Sequence, residues 1–334
     1  MVTQATTRLT LTDEDMPDLF TRADNGAKQS KKWYFRFVRI ELIAISLAAL
    51  AQVVGRQLAP TITSTVHLGV GEVHFLGIDY TARTLTNAVA SYFLPTVVML
   101  VAVIMLALRV WLRYDRRWRA RRAIAEATKE LAWRFSMRAL QADIEASTPL
   151  TDVQAVEAFS QELRQYITQS LPLHLKAPSL NAPEITQPMR SLRAASIATQ
   201  SEAYLNDRLK NQQKWYSGKS DTYQLWTTRL QVARFVAYGL GGALIFYHGF
   251  GINGLGIMTT IAGAFATWLA GNHYDDLSQS YSGMATQLSL FDAAANTILQ
   301  SGSAGVAGPN DWPHLVNKVE ALMDGEHEDW RRLS

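Results

Sequence analysis

Hydrophobic and polar positions alternate along this chain in long blocks. The longest uncharged block runs from Phe235 to Tyr274 and contains no Asp, Glu, Lys or Arg over 40 residues. A bilayer core takes about 20 residues per helix, and the glycine-rich stretch HGFGINGLG at 248–256 interrupts the block. The pattern therefore predicts a membrane hairpin with arms at 235–247 and 252–270.

An earlier pair of apolar segments has more interruptions. Its first arm, Ile40 to Leu58, contains Glu41, and its second arm, Tyr92 to Leu112, contains Pro95 and Arg109. Both pairs together predict an all-α integral membrane protein with two transmembrane hairpins, whose long helical extensions form a cytosolic bundle. The alternative is that the four segments are core helices of a soluble bundle.

Basic residues flank these segments unevenly. The side chains that precede or follow the predicted spans are Arg22, Lys28, Lys31, Lys32, Arg36, Arg113, Arg116, Arg117, Arg119, Arg121, Arg122, Lys210, Lys214, Lys219, Arg229 and Arg234. The connection at 60–91 offers only Arg83. By the positive-inside rule, both termini are predicted to be cytoplasmic. The first 35 residues have no early apolar core, so we expect no cleaved signal peptide.

The regions between the spans favour helices outside the membrane. Residues 115–145 lack Gly and Pro and predict a stalk that runs straight out of the second span, and 152–171, 193–234 and 275–300 predict further helices. Four prolines between 172 and 188 predict a linker. We divide the chain into an N-terminal tail at 1–21, a two-span unit at 22–147, a helix with a proline-rich linker at 148–192, and a second two-span unit at 193–334.

Composition narrows the chemistry. The chain has no cysteine, which excludes disulfides and thiolate catalysis, and its net charge of +3 gives weak support for nucleic-acid binding, so we expect none. Gly249, Gly251 and Gly254 match a dinucleotide fingerprint in spacing, but no strand precedes them and a tight turn explains them better. His67, Glu72 and His74 fit no metal-ligand spacing. We predict no catalytic, cofactor or metal residue, and no enzyme.

Polar residues within the predicted spans are the candidates for function, because each is costly in hydrocarbon unless it faces protein or water. These candidates are Glu41, Ser46, Gln52, Thr259, Thr260 and Thr267. For Glu41 the alternative is a headgroup-level position paired with Arg39 or Lys32.

The stretch YLNDRLKNQQKWYSGKS at 204–220, followed by an apolar hairpin and by EHEDW at 326–330, resembles the SLATT family of two-transmembrane effector domains. The first half is similar to a sister version through RRAIAEATKELAWRFSMRA at 121–139. The positions that fit the family pattern are Arg122, Glu126, Lys129, Trp133, Arg134, Arg208, Gln212, Trp215, Tyr216, Lys219, Glu326, His327 and Trp330.

The resemblance implies a bacterial conflict-system (antiphage) effector in the inner membrane, which oligomerises and breaches that membrane when an infection signal is sensed. Its expected partners are the lipid bilayer, further copies of itself, and a nucleotide second messenger or a sensor or synthase protein, because this chain shows no sensor domain of its own. The alternative function is a non-conducting membrane anchor that docks a signalling partner through its cytosolic helices.

Overall fold

The computed structural model describes residues 9–65, 73–75, 78–80, 93–146, 149–180, 182–246, 251–303 and 311–332. The fold is predominantly helical, as the sequence predicts. One two-stranded antiparallel hairpin, β1 (Val73–Phe75) and β2 (Ile78–Tyr80), lies in the connection expected to be a loop, with His74 opposite Asp79. His67 and Glu72 lie outside the described residues.

The first half of the chain folds mainly into helices. They are α1 (Asp18–Thr65), α2 (Leu94–Leu112), α3 (Tyr114–Ser136), α4 (Gln141–Glu145), α5 (Asp152–Ser170) and α6 (Gln187–Ala194). Two 3₁₀ turns, Asp13–Asp15 and Leu171–Leu173, accompany them.

The second half contains α7 (Ile197–Ala203), a π-helix (Tyr204–Leu209), α8 (Lys210–Phe246), α9 (Gly251–Asn272), α10 (Tyr274–Ser303) and α11 (Asp311–Arg332). The predicted helix at 193–234 therefore begins late, because the chain breaks at Ala195 and Ser196, where Ser196 caps α7 by accepting a hydrogen bond from the Thr199 amide.

Contacts divide the chain into two compact units. The charged unit consists of Met1–Lys31, Tyr114–Asp221 and Ser278–Ser334, and the apolar unit of Lys32–Arg113 and Thr222–Leu277. Each unit thus combines segments from both halves of the sequence.

The charged unit has a large-side-chain interior. Its fully buried residues include Trp133, Phe135, Phe159, Tyr204 and Leu209, and the Phe135 and Phe159 rings of α3 and α5 meet edge to face with centroids 5.3 Å apart. Because aromatic side chains bury the most apolar area per residue, they dominate the stability of such a core. The core sits where α3 packs against α5, α6 and α11.

The stalk predicted at 115–145 is wrong as a single straight helix. It ends at Ser136, turns through Arg138 with a φ of 56°, and resumes at α4. The buried Arg193 side chain fixes this corner, because its guanidinium donates to the Phe135 carbonyl at 2.8 Å and to both carboxylate oxygens of Asp143 at 3.0 and 2.6 Å. The buried Arg193 charge at this corner is therefore paired with the Asp143 carboxylate.

A left-handed residue separates α2 from α3, and another separates α9 from α10. Arg113 has a φ of 47° and His273 a φ of 48°. Non-glycine residues rarely adopt this conformation, so its occurrence after the second apolar helix of each hairpin is a shared structural feature of the two halves. The helical conformation is therefore interrupted at Arg113 and at His273, where the sequence predicts no break.

The apolar unit has a small-side-chain interior. Its buried residues include Ala44, Ala48, Ala102, Ala237 and Ala262. The first and second halves of the sequence meet inside this unit, where the centroid of the Phe35 ring of α1 lies 6.1 Å from that of the Trp268 ring of α9. Alanine allows helix backbones to approach closely, which is typical of helix packing in lipid.

Candidate functional site

Glu41 and Arg109 form an ion pair between the apolar helices α1 and α2. Arg109 Nη2 donates to Glu41 Oε1 at 3.3 Å, and Nε lies 3.3 Å from Oε2 without a hydrogen bond. The two side chains are 13% and 27% exposed. An ion pair removed from water this far is costly to desolvate, and its place among apolar helices makes it a candidate functional site.

This pair changes two predictions. The sequence identifies Glu41 as a candidate but offers Arg39 or Lys32 as its partner, whereas the structure pairs it with Arg109, 68 residues away. Arg109 is a candidate that sequence reasoning misses, because in the apolar pattern it is only an interruption of the second arm. Its position opposite Glu41 depends on the helix register, which an apolar pattern alone does not fix.

The other polar candidates differ from Glu41 in their hydrogen bonding and exposure. The Ser46 hydroxyl donates to the Leu42 carbonyl one turn earlier at 2.9 Å, so its own helix satisfies it. Thr259 and Thr267 are exposed on α9 and Thr260 is half-buried. The Gln52 side chain lies outside the described residues.

The large apolar side chains of the apolar unit point outward. The exposed ones on α2 and on the second half of α8 are Val97, Met99, Leu100, Val101, Val103, Ile104, Leu106, Val110, Trp111, Val232, Phe235, Val236, Tyr238 and Leu240. Among the described residues, one helical stretch, Pro95–Glu145, which runs from α2 to α4, has the length and composition to cross a membrane. A contiguous exposed apolar surface of this kind marks contact with a membrane or with another protein.

A second candidate site lies inside the charged unit, at the π-helix. Arg208 donates to Glu320 of α11 through Nε at 3.0 Å and Nη2 at 2.7 Å, and the Tyr204 hydroxyl donates to the same carboxylate at 2.8 Å. The Arg208 and Glu320 side chains are 3% and 0% exposed. Burial alone would lower the pKa of Arg208, but Glu320 raises it, so the guanidinium is fully charged. A π-helix frequently marks a functional position.

Aromatic rings surround this buried pair. The Tyr204 ring meets Trp133 of α3 edge to face at 5.6 Å and Trp312 of α11 at 5.8 Å. Trp133 and Arg208, two positions identified from opposite halves of the sequence, are therefore brought into one cluster. Glu320, Tyr204 and Trp312 complete the cluster. The sequence analysis does not single them out, because a Glu that is buried against an Arg is uncommon and its burial is visible only in the structure.

The α3 family-pattern residues form ion pairs along one helix. Arg122 donates to Asp24 at 2.8 Å and pairs with Glu126, while Arg134 pairs with Glu130 at 2.9 Å. Lys129 Nζ lies 2.5 Å from Asp13 Oδ1. These pairs place charges of alternating sign along α3, as helical i, i+4 spacing allows.

Glu130 lies in an unusually apolar environment for a carboxylate. Burial raises its pKa to about 8, against the opposing effect of Arg134 and with reinforcement from Glu320 and Asp324. The Arg134 charge also faces Glu162 of α5 at 3.8 Å, and burial raises the pKa of Tyr166 to about 12. The cluster between α3, α5 and α11 therefore contains more carboxyl groups than it can hold ionised.

The remaining family-pattern residues lie on α8 and α11. Tyr216 is buried and Trp215 is 43% exposed. Their ring centroids lie 5.4 and 5.5 Å, respectively, from the ring centroid of Tyr281 of α10. Lys219 Nζ lies 6.0 Å from the Trp215 ring centroid, and Gln212 is half-buried. Glu326, His327 and Trp330 fall within α11, with their side chains outside the described residues.

Comparison with protein-family models gives two adjacent matches. The model "SMODS and SLOG-associating 2TM effector domain 3" matches residues 80–201, and "SMODS and SLOG-associating 2TM effector domain 1" matches residues 204–330. The chain belongs to the SLATT family. It carries two SLATT domains in tandem, and SLATT domains are two-transmembrane effector domains. No curated protein and no solved structure matches the chain in such comparisons.

The SLATT matches and the structural units divide the chain differently. The second SLATT match begins at Tyr204, the first residue of the π-helix, and the first match starts after α1 and extends through α6. Both matches contribute helices to the charged unit and to the apolar unit. The Arg208–Glu320 cluster, with Trp133 against it, therefore joins the two SLATT domains inside the charged unit. Among the described residues, no group of three His, Asp or Glu side chains converges as a metal site requires.

Proposed function

We propose that this tandem SLATT chain is an integral membrane effector of a bacterial antiphage system, with four spans in two hairpins and both termini in the cytoplasm. In this proposal several copies assemble in the inner membrane and open a conducting path, without any catalytic step. The observation that carries it is the outward apolar surface of α2 and α8, where Leu100 is 57% and Phe235 66% exposed. Hydrocarbon is the solvent in which such a surface is favourable.

Assembly of several copies is supported by the glycines of the apolar unit. An added Cβ at Gly239, Gly242 or Gly263 would meet no described atom of the chain within 4 Å. Within the described part of the chain, no atom fills the space beside these three glycines. A neighbouring copy supplies the close approach that such small residues permit.

The conducting role rests on the Glu41–Arg109 pair. The Arg109 Nε and Glu41 Oε2 atoms make no hydrogen bond to any described residue of the chain. They are therefore available to water or ions when an aqueous path opens beside α1 and α2. The trigger in this proposal is a nucleotide second messenger or a sensor protein that acts on the cytosolic helices.

The test is dye leakage from liposomes that contain the purified chain. At a high ratio of protein to lipid, where copies assemble without the trigger, we expect wild type to release an encapsulated dye. Glu41→Leu and Arg109→Leu should each change the rate by tenfold or more, because each leaves an unpaired charge on the other helix. Glu157→Gln, on an exposed face of α5, is the control and leaks like wild type. Thr260→Leu tests the second hairpin in the same assay.

The second candidate function is a non-conducting anchor, and the exposed Trp215 on α8 favours it as a docking position. An anchor leaves liposomes and cells intact at every protein concentration while the chain still floats with the vesicles. Leakage that no substitution at Glu41, Arg109 or Thr260 alters would leave a conducting chain but remove these residues from the path.

A further inference from the structure

Two lysines of the charged unit, on different helices, lie near enough for the charge of one to act on the other, and the described residues offer neither of them a carboxylate partner. Lys31 is the last residue of α1 within that unit, and Lys219 lies two residues before the unit's α8 segment ends. Among the described residues, neither lysine forms an ion pair with an Asp or Glu. Partial burial lowers the pKa of Lys31, and the nearby positive charges of Lys219 and Arg122 lower it further.

The nearby carboxylates are already paired. Asp24 binds both Lys28, at 2.6 Å, and Arg122, at 2.8 Å, and Glu126 pairs with Arg122. Asp221 is two residues from Lys219, a spacing that places the two side chains on different helix faces. The positive charge at Lys31 and Lys219 is therefore not neutralised within the described chain.

Neighbouring cations extend this positive surface. Arg121 donates to the carbonyls of Gly26 and Leu173 and to the Ser30 hydroxyl, and to no carboxylate. Burial lowers the pKa of Arg121, and Arg117 lowers it further. Like charges held this close repel each other, and an anion bound among them would relieve that repulsion.

Each of the two lysines also lies over an indole. Lys31 Nζ is 5.0 Å from the Trp118 ring centroid and Lys219 Nζ is 6.0 Å from that of Trp215. Both lysines keep solvent-accessible surface. Tryptophan beside lysine is the combination found at the level of lipid headgroups, where the ring suits the interface and the ammonium meets phosphate.

We propose that Lys31 and Lys219, supported by Arg122 and flanked by Trp118 and Trp215, bind the phosphate of an anionic lipid headgroup. The lipid source follows from the chain itself, because α1 and α8 pass within three residues from these lysines into the apolar unit. This assignment rests on the proposed membrane location. The shared chemistry is a phosphate anion, and a soluble phosphate is the other source to be tested.

The experiment uses the full chain in phosphatidylcholine micelles, titrated with phosphatidylglycerol and followed by native mass spectrometry of the bound lipid. We expect phosphatidylglycerol to be retained and Lys31→Gln and Lys219→Gln each to weaken retention about fivefold. Lys210→Gln, at an exposed position of α8, is the matched control and binds like wild type. The melting temperature of each variant in phosphatidylcholine alone reports its folding.

Equal retention of phosphatidylglycerol by wild type and both variants would overturn the site. Inorganic phosphate or pyrophosphate that binds in the absence of anionic lipid, and is lost in the same variants, would overturn the lipid source in favour of a soluble anion. A different measurement tests the proposed membrane location. A chain that stays monodisperse without detergent would contradict that location, whatever the result of the lipid titration.

Discussion

The two units of this SLATT chain have opposite arrangements of large and small side chains. The charged unit buries Trp133, Phe135 and Tyr204, while the apolar unit buries alanines and exposes Leu100 and Phe235. Water drives large apolar side chains inward, and a hydrocarbon solvent has no such effect, so packing there favours small residues at helix contacts. The contrast is what the proposed membrane location predicts, namely one chain folded for two solvents.

The units also differ in how they hold buried charge. Glu320 in the charged unit accepts three hydrogen bonds, from Arg208 and Tyr204, whereas Glu41 in the apolar unit accepts one from Arg109. A carboxylate held by three hydrogen bonds in a buried cluster makes a rigid joint, whereas a carboxylate with one hydrogen bond keeps capacity for another partner. We therefore assign Arg208–Glu320 to stability and Glu41–Arg109 to function.

The largest predicted effect concerns the buried network. Arg208→Met and Glu320→Leu alone should each destabilise the charged unit by about 3–5 kcal/mol, because each leaves an unpaired buried charge. The double variant removes both charges and should recover most of that loss. Thermal unfolding in detergent, followed by circular dichroism, measures it. A double variant as unstable as the sum of the singles would contradict the assignment.

The next effect is a pH dependence of the charged unit. Burial raises the pKa of Glu130 from 4.5 to about 8, so the folded chain keeps a proton that the unfolded chain releases between these values. The contribution of Glu130 to stability is then complete below pH 4.5 and falls by roughly 5 kcal/mol as the pH rises to 8, with no further change above it. Denaturant unfolding between pH 5 and 9 should show this slope.

Glu130→Gln provides the comparison for that slope. The amide cannot ionise, so its stability should be flatter over the same pH range, while the exposed Glu157→Gln keeps the wild-type slope. Equal slopes in all three chains would show that another group titrates.

A third prediction compares one substitution in the two units. Leu100 and Leu290 are 57% and 67% exposed, in α2 and α10. Leu100→Arg should reduce membrane insertion by about 3 kcal/mol, because arginine is costly near the centre of a membrane helix, whereas Leu290→Arg should be neutral. Protease protection after insertion into inner-membrane vesicles measures both. Equal insertion of the two variants would remove the distinction between the units.

The smallest effect is at a helix glycine. An added Cβ at Gly283 of α10 would meet no described atom within 4 Å. Gly283→Ala should therefore raise the melting stability by about 0.5–1 kcal/mol through the lower entropy of its unfolded chain. A decrease would indicate that another molecule approaches α10 at this position.

The sequence predicts the helical class and the positions of the apolar segments, because periodicity and charge content report local structure. It misses the corner at Arg138 and the left-handed residues Arg113 and His273, since no glycine or proline marks them. It also misses the partners Arg109 and Glu320. Both lie on helices distant in sequence, and only the tertiary register brings them to Glu41 and Arg208.

The central claim is that lipid solvates the outer surface of the apolar unit. The chain has no cysteine, so single Leu100→Cys and Leu290→Cys variants can carry one nitroxide label each in liposomes. We predict that the label at position 100 is relaxed by oxygen, which concentrates in hydrocarbon, and is shielded from a water-soluble nickel complex, with the opposite result at position 290. Strong relaxation of both labels by the nickel complex would contradict the account.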